Sequence, residues 1–179
     1  MKKKLLVVSL LSLASASIMA QSNSKETGPY VELGLIQAYY KDDVVNFNNG
    51  MASFKAGYNF TKNFALEGMI AGNINSANFY YRSTNITAQV QNAYGIYGKG
   101  TIELNDTVSL YAKVGATNGT LSASSAFGSA WTSGTSPAYG AGIQANINKD
   151  VYVSLDYMSY YNRDGVSIAG PSINVGYKF

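Results

Sequence analysis

The sequence contains no cysteine and no histidine in 179 residues. An imidazole general base, a thiolate nucleophile and a disulfide are therefore excluded, together with the nitrogen and sulfur ligands that zinc and copper usually take. Most hydrolase mechanisms depend on one of these groups. With 46% apolar residues, the chain is too hydrophobic for a disordered protein, and its length suits one domain. We therefore expect one folded domain that is not an enzyme and that takes no cofactor.

Charged side chains make up only 13% of the residues, and their distribution excludes a nucleic-acid partner. The formal net charge of +3 comes from Lys2, Lys3 and Lys4. Without residues 1–20, the chain has 10 basic and 10 acidic residues and is neutral. Nucleic-acid binding requires clustered lysine and arginine that neutralise phosphates. The sequence after residue 20 has no such excess of positive charge.

The first 20 residues have the three parts of a secretory signal peptide. Lysines precede an apolar run at 5–13, and small residues follow as far as Ala20. The apolar run is shorter than the ~20 residues that a helix needs to span a bilayer. We expect cleavage after Ala20, with a second candidate site after Ala16. The predicted organisation is a signal peptide at 1–20 and an exported domain at 21–179.

Hydrophobic residues alternate with small or polar residues throughout the exported domain. No stretch of it approaches the 18 consecutive apolar residues that indicate a transmembrane helix. Alternation with a period of two is the pattern of a half-buried β-strand. In the final segment, for example, Ile173, Val175, Tyr177 and Phe179 share one face. Eight strands are predicted, around residues 31–36, 53–58, 64–71, 88–99, 108–115, 138–147, 151–158 and 172–179.

The connections between these strands alternate in length. Short turns are predicted at 60–63, 101–107 and 147–150, and longer polar loops at 41–50, 74–87, 118–136 and 162–165. Outer-membrane barrels have this asymmetry, with short periplasmic turns and long extracellular loops. An even number of strands returns both ends of the chain to the periplasmic side. The loop at 118–136 is rich in Ser, Gly, Ala and Thr, and we expect it to be the most mobile part.

A closed barrel is expected because such strands would cross the hydrocarbon core of a membrane. Hydrocarbon offers the backbone no hydrogen-bond partner, so only helices and edgeless sheets span a bilayer. Aromatic residues near the predicted strand ends suit the two interfacial girdles. They are Tyr39, Tyr40, Tyr58, Phe60, Phe64, Phe79, Tyr80, Tyr81, Tyr160, Tyr161, Tyr177 and Phe179. The predicted fold class is all-β, an eight-stranded antiparallel up-and-down transmembrane β-barrel. Ten strands are the alternative, if 79–90 or 120–132 form a further hairpin.

Three segments resemble the repeated hairpins of a known family. Residues 57–68 read GYNFTKNFALEG, residues 110–115 read LYAKVG, and the chain closes with VGYKF at 175–179. These segments are similar to small bacterial outer-membrane barrels of the OmpA-like, OmpX and opacity type. The resemblance covers residues 28–179 and implies a Gram-negative outer-membrane protein with a structural or surface-interaction role. We expect a monomer surrounded by outer-membrane lipid and lipopolysaccharide.

The resemblance also implies a role for the carboxyl-terminal strand. In the family, a terminal aromatic strand is recognised by the outer-membrane assembly machinery. Ile173, Val175, Tyr177 and Phe179 match that pattern, so the resemblance assigns them an assembly signal. Phe179 also suits the interfacial girdle, and the two roles are compatible.

Alternation places seven charged side chains on the face opposite the apolar one, which in a membrane barrel is the inside. They are Glu32, Lys55, Glu67, Lys99, Lys113, Asp156 and Lys178. An eight-stranded barrel is just wide enough for side chains to fill it. We interpret the first six as a network that plugs and stabilises the lumen. A narrow path for small ions or solutes is the alternative.

The turn positions predict which of these charges are neighbours. A turn centred near Thr61 brings Lys55 close to Glu67, because opposed residues of an antiparallel hairpin share a face. The next short turn brings Lys99 close to Lys113. Glu67 is then expected between Lys55 and Lys99, where the flanking ammonium groups keep its carboxylate ionised.

The predicted extracellular loops contain the remaining functional candidates. Residues 78–82 (NFYYR) suit an exposed recognition patch, since tyrosine and arginine are frequent at binding hot spots. The interpretation that we prefer is the top of the outer girdle, with Arg82 reaching lipopolysaccharide phosphates. Lys41, Asp42 and Asp43 lack the further ligands of a cation site, so no metal is predicted.

The predicted function is an adhesin-like surface interaction, presented by the loops to an extracellular ligand that the sequence does not identify. A narrow pore is the first alternative to this function. A soluble periplasmic barrel that holds a lipid is the less favoured one, because its apolar face would point inward and its polar face outward. The small, Gly- and Ala-rich polar face leaves little for such a solvated exterior.

Overall fold

The structure is a computed structural model that describes residues 27–42, 46–75, 77–81, 84–125, 128–163 and 165–179. The predicted signal peptide at 1–20 and its cleavage site lie outside the described residues. No helix in the described part of the chain is long and apolar enough to cross a membrane.

Nine antiparallel strands make up the regular structure of the described ranges. They are β1 (Gly28–Lys41), β2 (Asn46–Asn59), β3 (Phe64–Asn73), β4 (Ala77–Tyr81), β5 (Thr84–Glu103), β6 (Val108–Ser125), β7 (Gly128–Asn146), β8 (Val151–Arg163) and β9 (Val166–Lys178). Successive side chains in each strand point to opposite faces of the sheet, as the sequence pattern predicts.

The strands close into an eight-stranded barrel, which confirms the predicted fold class. β1 pairs with β9, so the first and last strands join. β3 pairs with β5 from Phe64 opposite Gly100 to Gly72 opposite Asn92. β4 then continues along the same edge of β5, so β3 and β4 together occupy one position in the ring. We call the end that holds Gly28 and Phe179 the lower end, and the opposite end the upper end.

Side chains that point outward are apolar, and those that point inward are buried. Leu33 is 66% exposed, whereas its neighbour Glu32 is fully buried. Val114 is 68% exposed, whereas Lys113 is 3% exposed. This arrangement inverts that of a water-soluble barrel and suits a hydrocarbon solvent around the molecule. It argues against the soluble lipid-binding alternative.

Aromatic side chains ring the lower end of the barrel. Tyr58, Phe60, Phe64, Tyr177 and Phe179 are all exposed there. The rings of Tyr58 and Phe60 lie 5.2 Å apart, and those of Tyr177 and Phe179 lie 5.0 Å apart. Such amphipathic rings are found at the level of lipid headgroups, so this group forms the predicted lower girdle.

Two segments predicted as loops are strands in the structure. β5 already begins at Thr84, and β6 and β7 stay paired up to Ser125 opposite Gly128. The predicted loops at 74–87 and 118–136 were therefore wrong in their secondary structure. Backbone hydrogen bonds join these strands whatever their side chains, and where both faces are exposed no hydrophobic alternation is needed to mark them.

Two β-bulges reverse the facing of side chains in the upper barrel. The register shifts between Val90 and Asn92 and again between Ser159 and Tyr161. An extra residue on one strand moves every following side chain to the other face. Val90 is consequently buried, with 3% of its surface exposed. Simple alternation would place it on the outward face of β5 together with Tyr94. Tyr160 continues the inward-facing series of Asp156 and Met158 without a change of face and is buried, so its assignment to the outer girdle was wrong.

Candidate functional site

The lower half of the lumen holds a layer of ionised side chains. Three carboxylates and three ammonium groups lie there, all at most 5% exposed: Glu32, Glu67, Asp156, Lys55, Lys99 and Lys113. They come from six different strands, and each is an inward-facing position of its strand. The structure thus brings together all six residues that the sequence assigned to an interior network. We call this set the ion layer.

Glu32 is the centre of the ion layer. Its carboxylate lies 3.3 Å from Nζ of Lys55, which is directly opposite on β2. It also faces Nζ of Lys99 at 3.7 Å and Nζ of Lys113 at 4.0 Å, on the far wall of the barrel. Lys99 and Lys113 are themselves cross-strand neighbours, as the turn position predicted. Because like charges in that position repel, Glu32 offsets their repulsion.

Glu67 has a different partner from the one predicted. Its Oε1 accepts a 2.6 Å hydrogen bond from Nζ of Lys113, and neither Lys55 nor Lys99 forms a described ion pair with it. The prediction was wrong because the centre of the β2–β3 hairpin lies one residue after Thr61, which shifts the pairing of the two strands. Lys55 lies opposite Met69, and Glu67 lies opposite Gly57. Lys55 contacts Glu32 and Asp156 instead.

Each carboxylate of the ion layer also accepts a hydrogen bond from a buried tyrosine. Tyr30 donates to Glu67 at 2.9 Å, Tyr152 to Glu32 at 2.9 Å and Tyr111 to Asp156 at 2.8 Å. The three rings surround Nζ of Lys99, which lies 4.5 Å from the centroid of Tyr111, 5.3 Å from Tyr30 and 5.7 Å from Tyr152. This geometry adds cation–π attraction to the ion pairs.

These tyrosines fit because glycines lie opposite them. Tyr30 pairs with Gly57, and Tyr152 pairs with Gly176. A Cβ atom built at either glycine would overlap the facing ring. Tyr30 is not among the residues predicted for the interior, although it stands two residues before Glu32 and therefore faces the same way. Position relative to an interior charge was the signal that would have identified it.

Neutral polar groups add further hydrogen bonds to the ion layer. Ser172 donates to Asp156 at 2.5 Å, and Lys55 donates to the side-chain oxygen of Asn174 at 2.8 Å. Lys99 donates to Gln144 at 3.2 Å. The seventh predicted charge, Lys178, is only half-buried and donates to Asn146 below the layer. Charges that are buried together with their partners in this way form a filled polar core.

The upper half of the lumen is apolar. Its buried side chains include Ile36, Met51, Met69, Val90, Tyr160 and Ile168. They line a cavity of about 200 Å³. Tyr97 separates the cavity from the ion layer, with its hydroxyl in a 2.7 Å hydrogen bond to Thr117. The lumen therefore changes from ionic to apolar along its axis.

Above the last pair with β8, β6 and β7 continue upward, and β5 still pairs with the other side of β6 as far as Ser124. β8 pairs with β7 only as far as Tyr139, whereas β6 and β7 remain paired up to Gly128. We call residues 118–135 the ribbon. Residues 128–133 are exposed on both faces, in contrast to the alternation lower in β7. Trp131, the single tryptophan of the chain, is 78% exposed on it.

The other residues singled out in the sequence are distributed as follows. Ile173, Val175, Tyr177 and Phe179 all face outward on β9 and the terminus. The backbone of β4 includes most of the 78–82 segment, but its side chains and Arg82 lie outside what the structure describes. Asp43 is also outside the described residues.

Comparison with known proteins identifies the family. The family model "Outer membrane protein beta-barrel domain" matches residues 8–179. The attachment invasion locus protein of Yersinia enterocolitica is 30% identical over 184 residues, with the whole of both chains covered. The protein of the same name from Yersinia pseudotuberculosis is 29% identical over 185 residues, covering 100% of this chain and 98% of the relative.

Solved structures agree with this assignment. Ail, the attachment invasion locus protein of Yersinia pestis, was crystallised with the heparin analogue sucrose octasulfate. That structure superposes with a TM-score of 0.65 at 26% identity, covering 86% of this chain and 99% of Ail. Neisserial surface protein A shares the fold, with a TM-score of 0.64 at 15% identity over 85% of this chain and 97% of its own. This chain therefore belongs to the outer membrane protein beta-barrel domain family and is an integral protein of the outer membrane.

Proposed function

We propose that the protein is a surface attachment protein whose ribbon contacts an extracellular partner. The observation that carries the proposal is the length of β6 and β7. Residues 128–138 continue beyond the last pair with β8, which at about 3.3 Å per residue is roughly 35 Å of strand. The two full-length relatives are named for attachment and invasion, which supports a contact role for strands that extend beyond the barrel wall.

The ribbon offers a backbone edge to such a partner along Trp131, Ser133 and Thr135. Asn146 donates its backbone N–H to Thr107 on the β6 side, so even-numbered residues of β7 bond toward β6. Trp131, Ser133 and Thr135 direct their N–H and C=O groups to the other side, where the described residues supply no strand partner. Pro137 lies at an odd position, where the N–H that it lacks is not needed by β6. An extended peptide that adds to this edge is the partner we propose.

Electrostatic recognition of a polyanion has less support in this chain. Segments 41–46, 74–84, 118–135 and 160–167 are those that connect the upper ends of the strands along the sequence. They contain three basic and three acidic residues: Lys41, Arg82, Arg163, Asp42, Asp43 and Asp164. A sulfated polysaccharide is bound by an excess of lysine and arginine. The balance of charge here favours recognition by the backbone edge and by Trp131 over recognition by charge.

The barrel itself serves as a sealed, non-catalytic scaffold in this proposal. The ion layer joins six strands through buried charges that pair with one another, which favours a plug over an ion path. The outward-facing alternation of Ile173, Val175, Tyr177 and Phe179 suits an assembly signal read by the outer-membrane machinery. The continuous closure of the sheet leaves the barrel complete as a monomer, with outer-membrane lipid and lipopolysaccharide around it.

Removal of the ribbon tests the proposal. Residues 121–132 are replaced by Asn-Gly, which joins Thr120 to its partner Ser133 through a two-residue turn. The protein is displayed by a non-adherent Gram-negative host, and bacteria bound to cultured animal cells are counted. We expect adhesion to fall to that of the host alone, while the barrel still folds, as shown by its shifted mobility in unheated gel samples.

Two controls separate the ribbon from the rest of the surface. The same Asn-Gly turn is placed between Lys41 and its partner Asn46, in place of 42–45, and we expect this shorter β1–β2 hairpin to leave adhesion unchanged. Ser133→Pro removes one outward N–H from the edge and lowers adhesion about fivefold, whereas Ser133→Ala does not. Equal adhesion with and without the ribbon would refute the proposal.

A further inference from the structure

The apolar cavity in the upper lumen is not explained by attachment through the ribbon. The interior of an outer-membrane barrel is ordinarily polar, because water or polar side chains fill it. Here the six side chains that best define the cavity are aliphatic: Ile36, Met51, Met69, Val90, Leu121 and Ile168. Water in such a space finds few hydrogen-bond partners, so a void of this kind is suited to an apolar occupant.

Both β-bulges contribute to this cavity. Without the bulge at Gln91, Val90 would face the lipid together with Tyr94 and Ile96. The bulge in β8 likewise turns Tyr161 inward, opposite the buried Ile168, although alternation with Leu155 and Tyr157 would face it outward. Bulges re-aim side chains, and these two turn an aliphatic and an aromatic side chain into the same space. The local breaks in the sheet thus create the lining.

The floor and the mouth of the cavity differ in chemistry. The floor is closed by Thr117 and its hydrogen-bond partner Tyr97, above the ion layer. Arg163, at the upper end of β8, is the one charged residue among the described residues of the lining. Tyr161 and residues 132–134 of the ribbon line the cavity near it. A ligand therefore enters from the extracellular side and keeps its polar end there.

We propose that the upper lumen binds a short linear amphiphile with an anionic head group, such as a medium-chain carboxylate. The alkyl chain occupies the space between Met51, Met69 and Val90, and the head group lies against Arg163. A cavity of about 150 Å³ with aliphatic walls holds a benzene molecule, so about 200 Å³ accommodates an alkyl chain of roughly six to eight carbons. The closed floor makes this a binding site and not a passage.

The methionines of the chain provide a direct test. Met51 and Met69 line the cavity, whereas Met158 is buried in the barrel but does not line it. The protein is purified from outer membranes with labelled methionine methyl groups and placed in phospholipid nanodiscs free of detergent. Octanoate is titrated, and the methyl resonances are assigned with M51L, M69L and M158L. We expect saturable shifts at Met51 and Met69 and none at Met158.

Matched probes and variants define the ligand class. Octan-1-ol has the same chain without the charge, and butanoate has the charge with a shorter chain; we expect both to bind more weakly than octanoate. Arg163→Gln weakens octanoate about tenfold and leaves octan-1-ol unchanged, because it removes a charge-assisted contact and no lining of the chain. Ala93→Phe fills the cavity and abolishes the shifts, and Ala71→Leu serves if that variant does not fold.

Three results would overturn the proposal. The first is the absence of saturable shifts at Met51 and Met69 up to millimolar octanoate. The second is an equal response of Met158, which would indicate general partitioning into the nanodisc. The third is equal affinity for octanoate and octan-1-ol, which would remove the role of Arg163. None of these measurements depends on adhesion, so the attachment proposal is tested separately.

Discussion

The two halves of the lumen differ in how their side chains occupy the barrel interior. In the lower half, three carboxylates and three lysines are buried together, and each carboxylate also accepts a tyrosine hydroxyl. In the upper half, aliphatic side chains surround a space of about 200 Å³ that they do not fill. The walls around both are the same eight-stranded ring. The inward-facing side chains, together with two β-bulges in the upper half, decide whether a level of the barrel is a plug or a pocket.

This difference indicates where the molecule tolerates change. A buried charge that loses its partner is costly, whereas a methyl group added beside an existing void has room. Substitutions in the ion layer should therefore lower stability, and those at the cavity should alter what binds there. Substitutions in the two halves of the lumen test this division.

Glu32→Gln should cause the largest loss of stability. The substitution removes the charge that faces Lys55, Lys99 and Lys113, and so leaves three buried ammonium groups with two carboxylates. Loss of one partner from a buried ion pair typically costs about 3–5 kcal/mol. The measurement is the free energy of unfolding in urea for the protein in phospholipid vesicles.

Glu103→Gln is the matched control for this substitution. Glu103 is exposed at the lower end of β5, so the same chemical change should cost less than about 1 kcal/mol. If both variants lose the same free energy, the ion layer does not act as a unit and the contrast between the two halves of the lumen is wrong.

Gly57→Ala should have the next largest effect. An added Cβ would overlap the ring of Tyr30, which is 2% exposed and is held by its hydrogen bond to Glu67. Displacing the ring breaks that bond, and overpacking of this kind costs about 1–3 kcal/mol. The free energy of unfolding is again the measurement, in the same vesicles.

Gly72→Ala tests whether the cost at Gly57 comes from the ring or from the loss of a glycine. No atom lies within 4 Å of a Cβ built at Gly72, so this variant should be as stable as the parent or slightly more so. A similar loss at both positions would mean that the packing of tyrosine against glycine contributes nothing to the barrel.

The fold was predictable from the sequence because one periodic signal covers most of it. Alternation separated Glu32 from Leu33 and Lys113 from Val114 along the whole barrel wall, and the structure buries the first of each pair. The same signal fails where both faces of a strand are exposed. The ribbon was read as a mobile loop because Ser, Gly and Thr show no alternation there, although β6 and β7 stay paired up to Ser125 opposite Gly128.

The details of the interior were less predictable, because they depend on single-residue shifts. A turn centre displaced by one residue changed the partner of Glu67 from Lys55 to Lys113. A bulge at Gln91 turned Val90 inward, and no residue type marks that position as a bulge. The cavity, which both bulges create, was therefore invisible in the sequence, whereas the charged residues below it were not.

The smallest effect is expected for electrical conductance. The unsubstituted protein should conduct no ionic current. In a planar bilayer the ion layer should block current, because Lys99 lies among the rings of Tyr30, Tyr111 and Tyr152 and leaves no open path between them. Met51→Ala widens only the space above the layer, so it too should be silent. Lys99→Ala empties the centre of the layer and should give small discrete steps. Steps in the unsubstituted protein would instead make the ion layer a filter, and its six charges would then determine which ions pass.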